Sequence, residues 1–177
     1  MINQQIIAQG LGFLSFALGI YAFYQKDDKK LKVVMFIFSL NHALHFLLLG
    51  SIVSTLSAML SAIRTGAAIY VSSKRVAAFF IIIGLSSGIY LADSIWALWS
   101  VLGMCLGTYS VFVLKGIPMR IGFLLGAMCW LTNNISVGSI GGSLLEATLI
   151  TVNIITIIRL LREQKKLNEL KDMDKHV

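Results

Sequence analysis

A 177-residue chain that is 57% hydrophobic and 13% charged, with mean hydropathy +0.83, lies outside the soluble range of about 45–50% apolar and about 25% charged residues. Apolar stretches of bilayer length follow one another along nearly its whole length, which excludes a separate soluble catalytic domain. The formal net charge of +7 is confined to particular connections between these stretches, so it needs no nucleic-acid partner.

Windows of about 20 apolar residues predict seven membrane-spanning helices. The first, 4–24, lies in MINQQIIAQGLGFLSFALGIYAFYQ. That stretch has neither a basic leading segment nor a small-residue cleavage site, and it reads as a retained helix rather than a signal peptide. The others are 32–50, 52–72, 76–92, 94–114, 119–136 and 140–161. The fourth is short, and Gly84, Ser86, Ser87 and Gly88 make it the least regular. Tight turns are expected at 50–51, 71–75, 115–120 and 137–142. Cys105 and Cys129 fall within spans and read as small packing residues.

The basic residues set an orientation. Lys26, Lys29, Lys30 and Lys32 lie between spans one and two, Lys74 and Arg75 between three and four, and Lys115 and Arg120 between five and six. Arg159, Arg162, Lys165, Lys166, Lys171 and Lys175 follow span seven. All are on alternate connections, so the positive-inside rule places the N-terminus outside and the C-terminus in the cytoplasm. Arg64, in the middle of SAIRTGAAIY, is the one exception.

The chain also repeats. LGIYAF at 18–23 matches LGTYSV at 106–111, and GSI at 50–52 matches GSI at 138–140. Gly19 and Gly107 lie 88 residues apart, as do Gly50 and Gly138, and Lys32 pairs with Arg120 at the same offset. The unit is three helices. An odd-helix unit needs an odd linker helix to repeat in parallel, so the expected architecture is an all-α membrane protein of two parallel three-helix repeats joined by a linker helix. The predicted divisions are a first repeat over 1–75, a linker helix over 76–93, a second repeat over 94–163 and a cytoplasmic tail over 164–177.

Four spans carry a polar face. His42 and His45 share one with Phe38 and Asn41 on span two; Trp130 and Asn133 share one with Gly126 and Asn134 on span six. Span three has a small, polar stripe, Ser54, Ser57, Ala58, Ser61, Arg64, Thr65 and Ala68, and span seven aligns Ser143, Glu146, Ile150 and Asn153. The 88-residue offset pairs His42 with Trp130, His45 with Asn133, and Thr65 with Asn153. At 1.5 Å per residue, His45, Asn133 and Glu146 lie about 9–11 Å from the outer turns, His42 and Trp130 about 13 Å, and Arg64, Thr65 and Asn153 about 19–21 Å. A helical side chain tilts toward its helix N-terminus, so the Arg64 head is expected at the Trp130 level, answered by Glu146 directly or through a polar bridge. Trp130 reads as core packing, interface anchor or stacking platform. An Arg64–Glu146 pair has a functional and a structural reading, and the residues do not choose between them. His42 and His45 have metal-compatible spacing but no convincing further ligands, and no cofactor is expected.

AIRT at 62–65, CWLTNN at 129–134, GSIGG at 138–142 and the Glu146-to-Asn153 segment resemble the YgjV family of bacterial inner-membrane proteins, a similarity that extends from AQG at 8–10 through the RLLR region. The resemblance implies a bacterial inner-membrane location and a fold similar to the SWEET and PQ-loop proteins. Those proteins carry prolines, thought to be hinges, in the first and second helices of each bundle. Here Pro118, in a predicted loop, is the single proline, leaving Gly12, Gly19, Gly103 and Gly107 as substitute flexible points. The leading expectation is a small-solute transporter, a uniporter or proton-coupled, using His42, His45, Arg64, Thr65, Trp130, Asn133, Glu146 and Asn153. The alternative is a non-transporting assembly factor or receptor whose polar network is structural. No HExxH, GxSxG or nucleotide loop points to an enzyme. The expected partners are the lipid bilayer and a small polar solute (a sugar, a zwitterion or an organic acid), with a homo-oligomer allowed.

Overall fold

The computed structural model describes residues 2–24, 28–71, 73–114 and 116–174. Lys26, Lys115 and Lys175, which helped set the expected orientation, lie outside the described residues. Seven α-helices follow in order: α1 (Ile2–Tyr24), α2 (Asp28–Leu48), α3 (Ile52–Ala68), α4 (Lys74–Leu91), α5 (Leu98–Val113, preceded by a 3-10 turn at Ile95–Ala97), α6 (Gly116–Ser136) and α7 (Ile140–Asp174).

By length and apolarity alone, four helices suffice to cross a bilayer: α1, α4, α5 with its preceding turn, and α7. The expectation of seven such stretches is met only in part, for a physical reason. α2 and α3 hold shorter apolar stretches, Lys32–Leu48 and Ile52–Ala68. Together with α6 they carry His42, His45, Ser54, Arg64, Asn133 and Asn134, all buried, which lowers their hydropathy without exposing a charge. The apolar side chains left outside, among them Ile6, Phe13, Ile82, Ile89 and Ile155, suit lipid contact.

Helix packing forms a closed ring. α1 packs on α2, α2 on α3, α3 on α5, α5 on α6, α6 on α7, and α7 returns to α1; α4 lies outside, against α3 and α5. Small residues make the close approaches. Gly141 on α7 meets the backbone of Gly12 and Phe13 on α1, so closely that there is no space for a Cβ. α4 is a regular helix, contrary to expectation. Its glycines are packing positions: a Cβ at Gly84 would meet the Met104 methyl, and one at Gly88 the Val101 side chain, both on α5. Pro118 is not in a loop but in the first turn of α6, where a missing N–H breaks no helical bond. α7 runs on through the basic tail, stapled on its surface by Arg159 and Glu163 at 2.9 Å.

The α2–α3 and α6–α7 turns are built alike. At the first, Gly50 N–H donates to Leu47 and Ser51 N–H to Phe46; at the second, Gly138 N–H donates to Ile135 and Ser139 N–H to Asn134. Each of the four bonds has its counterpart 88 residues away. Both glycines have positive φ, 79° and 71°, the left-handed residue that this helix stop requires. Thr55 and Ser143, also 88 apart, each return a hydroxyl bond to the carbonyl of Ser51 and Ser139, respectively. At the other end, Lys32 Nζ donates to the Ala68 carbonyl at 2.6 Å and caps the end of α3.

Candidate functional site

At the end bearing these two turns, polar bonds cross the ring. His45 Nδ1 donates to the Ala8 carbonyl of α1 at 2.6 Å, which leaves Nε2 of the neutral ring to accept from Ser139 Oγ, also at 2.6 Å. Asn133 is the residue 88 positions after His45, and it bonds the opposite way. Its Oδ1 accepts from Ser54 Oγ on α3 at 2.8 Å, and Ser51 Oγ donates to Ser54 Oγ at 2.6 Å. Thus α2 reaches the start of α7, while α6 reaches the start of α3. Gln9 clamps the same end, donating to the Gly138 carbonyl at 2.7 Å and accepting from Ile140 N–H. A surface cleft of about 230 Å3, lined by Ser51, Asp93, Trp96 and Ser136 among others, has Asn133 in its wall.

One turn deeper lies an aromatic layer. The His42 ring is 4.5 Å from Phe46, 5.2 Å from Phe38 and 6.3 Å from Trp130, and Trp130 stacks on Phe46 at 5.8 Å with an interplanar angle of 14°. Trp130 can lie there because Gly103 has no side chain: a Cβ on it would be 2.7 Å from the indole. Both ring nitrogens of the buried His42 lack a hydrogen-bond partner among the described residues. Asn41, which shares its helix face, is instead pinned to α1, its Nδ2 donating to the Leu11 carbonyl and to Ser15 Oγ, both at 2.8 Å.

Arg64 is 7% exposed and Glu146 6%, yet no ion pair joins them. The expected direct pairing is therefore corrected, and the ring order supplies the reason. α3 packs against α2, α4 and α5, whereas α7 packs against α1 and α6. Reach along the helix axes does not bring residues together across that arrangement. The guanidinium lies instead against α5, where a Cβ on Gly107 would be 3.6 Å from Nη1. Its Nε and Nη1 have no acceptor among the described residues. Thr65 turns its hydroxyl back to the Ser61 carbonyl at 2.7 Å, and the buried Asn153 leaves Oδ1 unpartnered.

The structure therefore buries seven of the eight singled-out residues and leaves Trp130 half-buried. It places the His42 ring between those of His45 and Trp130, joins Asn133 to Ser54 in a separate set of bonds, and forms no ion pair between Arg64 and Glu146. Gly12, Gly19, Gly103 and Gly107, expected as flexible points, each receive a side chain from another helix: His45, Leu145, Trp130 and Arg64, respectively. Three contributors were not singled out. Ser139 sits within the GSIGG run, whose glycines drew attention; Phe46 looks like any apolar helix residue; Gln9 precedes the apolar part of its span. Among the described residues, no three His, Cys, Asp or Glu side chains cluster as metal ligands would.

A bundle of apolar helices closed around buried histidine, asparagine and arginine defines an integral membrane protein with a polar interior. Residues 6–164 match the family model described as Imp-YgjV, bacterial inner membrane protein. The chain belongs to this family. It is 34% identical over 160 residues to inner membrane protein YgjV of Escherichia coli (strain K12), covering 90% of this chain and 87% of that protein. No solved structure matches.

Proposed function

We propose that the protein is a small-solute carrier rather than an enzyme, with all seven helices crossing the membrane as two parallel three-helix units in a SWEET-like 3+1+3 arrangement. The units are 1–75 and 94–163, with 76–93 as linker and 164–177 as tail. The N-terminus lies outside and the C-terminus in the cytoplasm, a reading that rests on the alternate basic connections. One observation carries the proposal: His42 and Trp130, equivalent at the 88-residue offset, meet in the interior 6.3 Å apart. Equivalent residues of two units meet only near the axis that relates them. The ring order supports the same reading, since α3 on α5 and α7 on α1 are equivalent contacts.

Function follows from the buried polar atoms that the interior leaves without partners. The end with His45–Ser139 and Ser54–Asn133 is bonded shut. Among the described residues, Asn133 Nδ2 and both amide atoms of Asn134 near this end, and deeper His42, Arg64 and Asn153, hold buried polar atoms without partners, an arrangement that is costly for mere packing and apt for receiving a solute. A rocking of one unit against the other exchanges the closed end. The bonded end also favours a second reading, a non-transporting membrane protein whose network fixes its packing. Thiol accessibility separates the two. With Cys105 and Cys129 replaced by serine, Thr65→Cys and Asn153→Cys are expected to react with small water-soluble thiol reagents from the basic end. Inertness of both would favour the structural reading.

A further inference from the structure

Arg64 has a consequence for the kind of solute, an inference that rests on the carrier reading. A guanidinium keeps its charge in any protein environment, and its fork of donors matches a planar oxyanion. Arg64 is buried, forms no ion pair, and directs Nε and Nη1 at no acceptor among the described residues. A desolvated, uncompensated cation is strongly unfavourable, so a state of the protein in which an anion answers it is favoured by the full attraction. We infer that Arg64 is the docking point for the carboxylate of a small monocarboxylate solute, whose body lies toward Trp130.

Charge count selects a monoanion. Arg64 is the single arginine or lysine in the interior of the spans, because the other basic residues lie at the opposite end or beyond it, as Lys32 does at the end of α3. One guanidinium neutralises one carboxylate, whereas a phosphate dianion would leave a charge uncompensated at bilayer depth. Geometry sets the reach. The indole lies over Gly103 and the guanidinium over Gly107, one helical turn apart on α5, or about 6 Å. Gly126 of α6 closes onto this same stretch of α5 backbone, so Trp130 and the guanidinium flank it from different helices. His42, edge-on to Trp130 with neither ring nitrogen bonded among the described residues, can bond a hydroxyl or keto group on the solute body.

The test compares acids with their own amides, which keep shape and remove charge. Acetate, lactate, pyruvate and butyrate are each titrated against acetamide, lactamide, pyruvamide and butyramide, with inorganic phosphate alongside, and thermal stabilisation of the purified protein is followed. At least one acid is expected to stabilise with an affinity about tenfold or more above its amide and above phosphate. Arg64→Gln should abolish that preference and Arg64→Lys should retain part of it. Should Arg64→Gln not fold, Gly107→Val serves, because a branched side chain there crowds the guanidinium; it should weaken the acid more than the amide. Equal response to acid and amide throughout the panel overturns the inference, as does a preference for phosphate or one that survives both variants. Failure of the carrier reading looks different: Arg64-dependent binding of an acid without its passage across vesicles.

Discussion

Gly141→Ala is expected to destabilise the protein by about 3 kcal/mol, the upper end for overpacking. A methyl there would run into the backbone of Gly12 and Phe13, and backbone cannot rotate aside as a side chain can. The one relief is to separate α7 from α1, which also strains the bonds that Gln9 makes to Gly138 and Ile140. Gly84→Ala is the internal control. Its methyl meets the terminal carbon of Met104, a flexible side chain, and is expected to cost about 1 kcal/mol or less. Thermal or denaturant unfolding in detergent reads both. Similar small losses at the two sites would mean that α1 and α7 do not touch as described.

His45→Ala is the second large effect. It removes two interhelical bonds and leaves the Ala8 carbonyl and Ser139 Oγ buried with fewer partners. Interhelical bonds in membranes are worth about 0.6 kcal/mol on average and at most about 1.7, to which orphaned groups and a cavity add. A loss of about 2–4 kcal/mol is expected. Ser139→Ala also gives up two bonds, the one to His45 Nε2 and the one it accepts from Gly142 N–H, but it should cost less because losing a hydroxyl leaves no cavity the size of an imidazole. The double variant should fall short of the sum by at least about 0.5 kcal/mol, since the two share one bond. Full additivity would show that His45 and Ser139 do not interact. In the carrier reading the same variants loosen the closed end, so a cysteine introduced by Asn133→Cys, in the wall of the cleft and with Cys105 and Cys129 replaced by serine, should become more reactive to thiol reagents from that side.

Much of this interior was legible in the sequence, and what was missed has a common cause. Helical periodicity placed His42, His45, Trp130 and Asn133 on inward faces, where His42 and Trp130 meet as rings while His45 and Asn133 bond across to Ser139 and Ser54. The repeat of GSI foretold two turns with the same bonds. Position along a helix gives depth, but not direction around the bundle. Arg64 and Glu146 were paired by the upward tilt of the arginine and by charge, neither of which gives direction around the bundle, whereas the ring sets α3 against α5 and α7 against α1. The same lack of direction hid Phe46, whose stacking on Trp130 depends on α2 facing α6. α6, expected as a span over 119–136, is not among the four helices apolar and long enough to cross a bilayer. Its asparagines lower the average, yet the neighbouring helices bury them completely.

Solute flux across a sealed bilayer tests the carrier reading most directly. Purified protein in liposomes is given radiolabelled small carboxylates, with sugars and polyols as comparison, and the interior is either empty or preloaded with the same unlabelled compound. The two-unit carrier predicts saturable uptake that preloading accelerates, because a loaded site reorients faster than it resets empty, and a marked loss of that uptake in Arg64→Gln. Flux no greater than in protein-free liposomes for every compound, with the protein folded and its His45–Ser139 coupling intact, would contradict it and leave the polar interior a matter of packing.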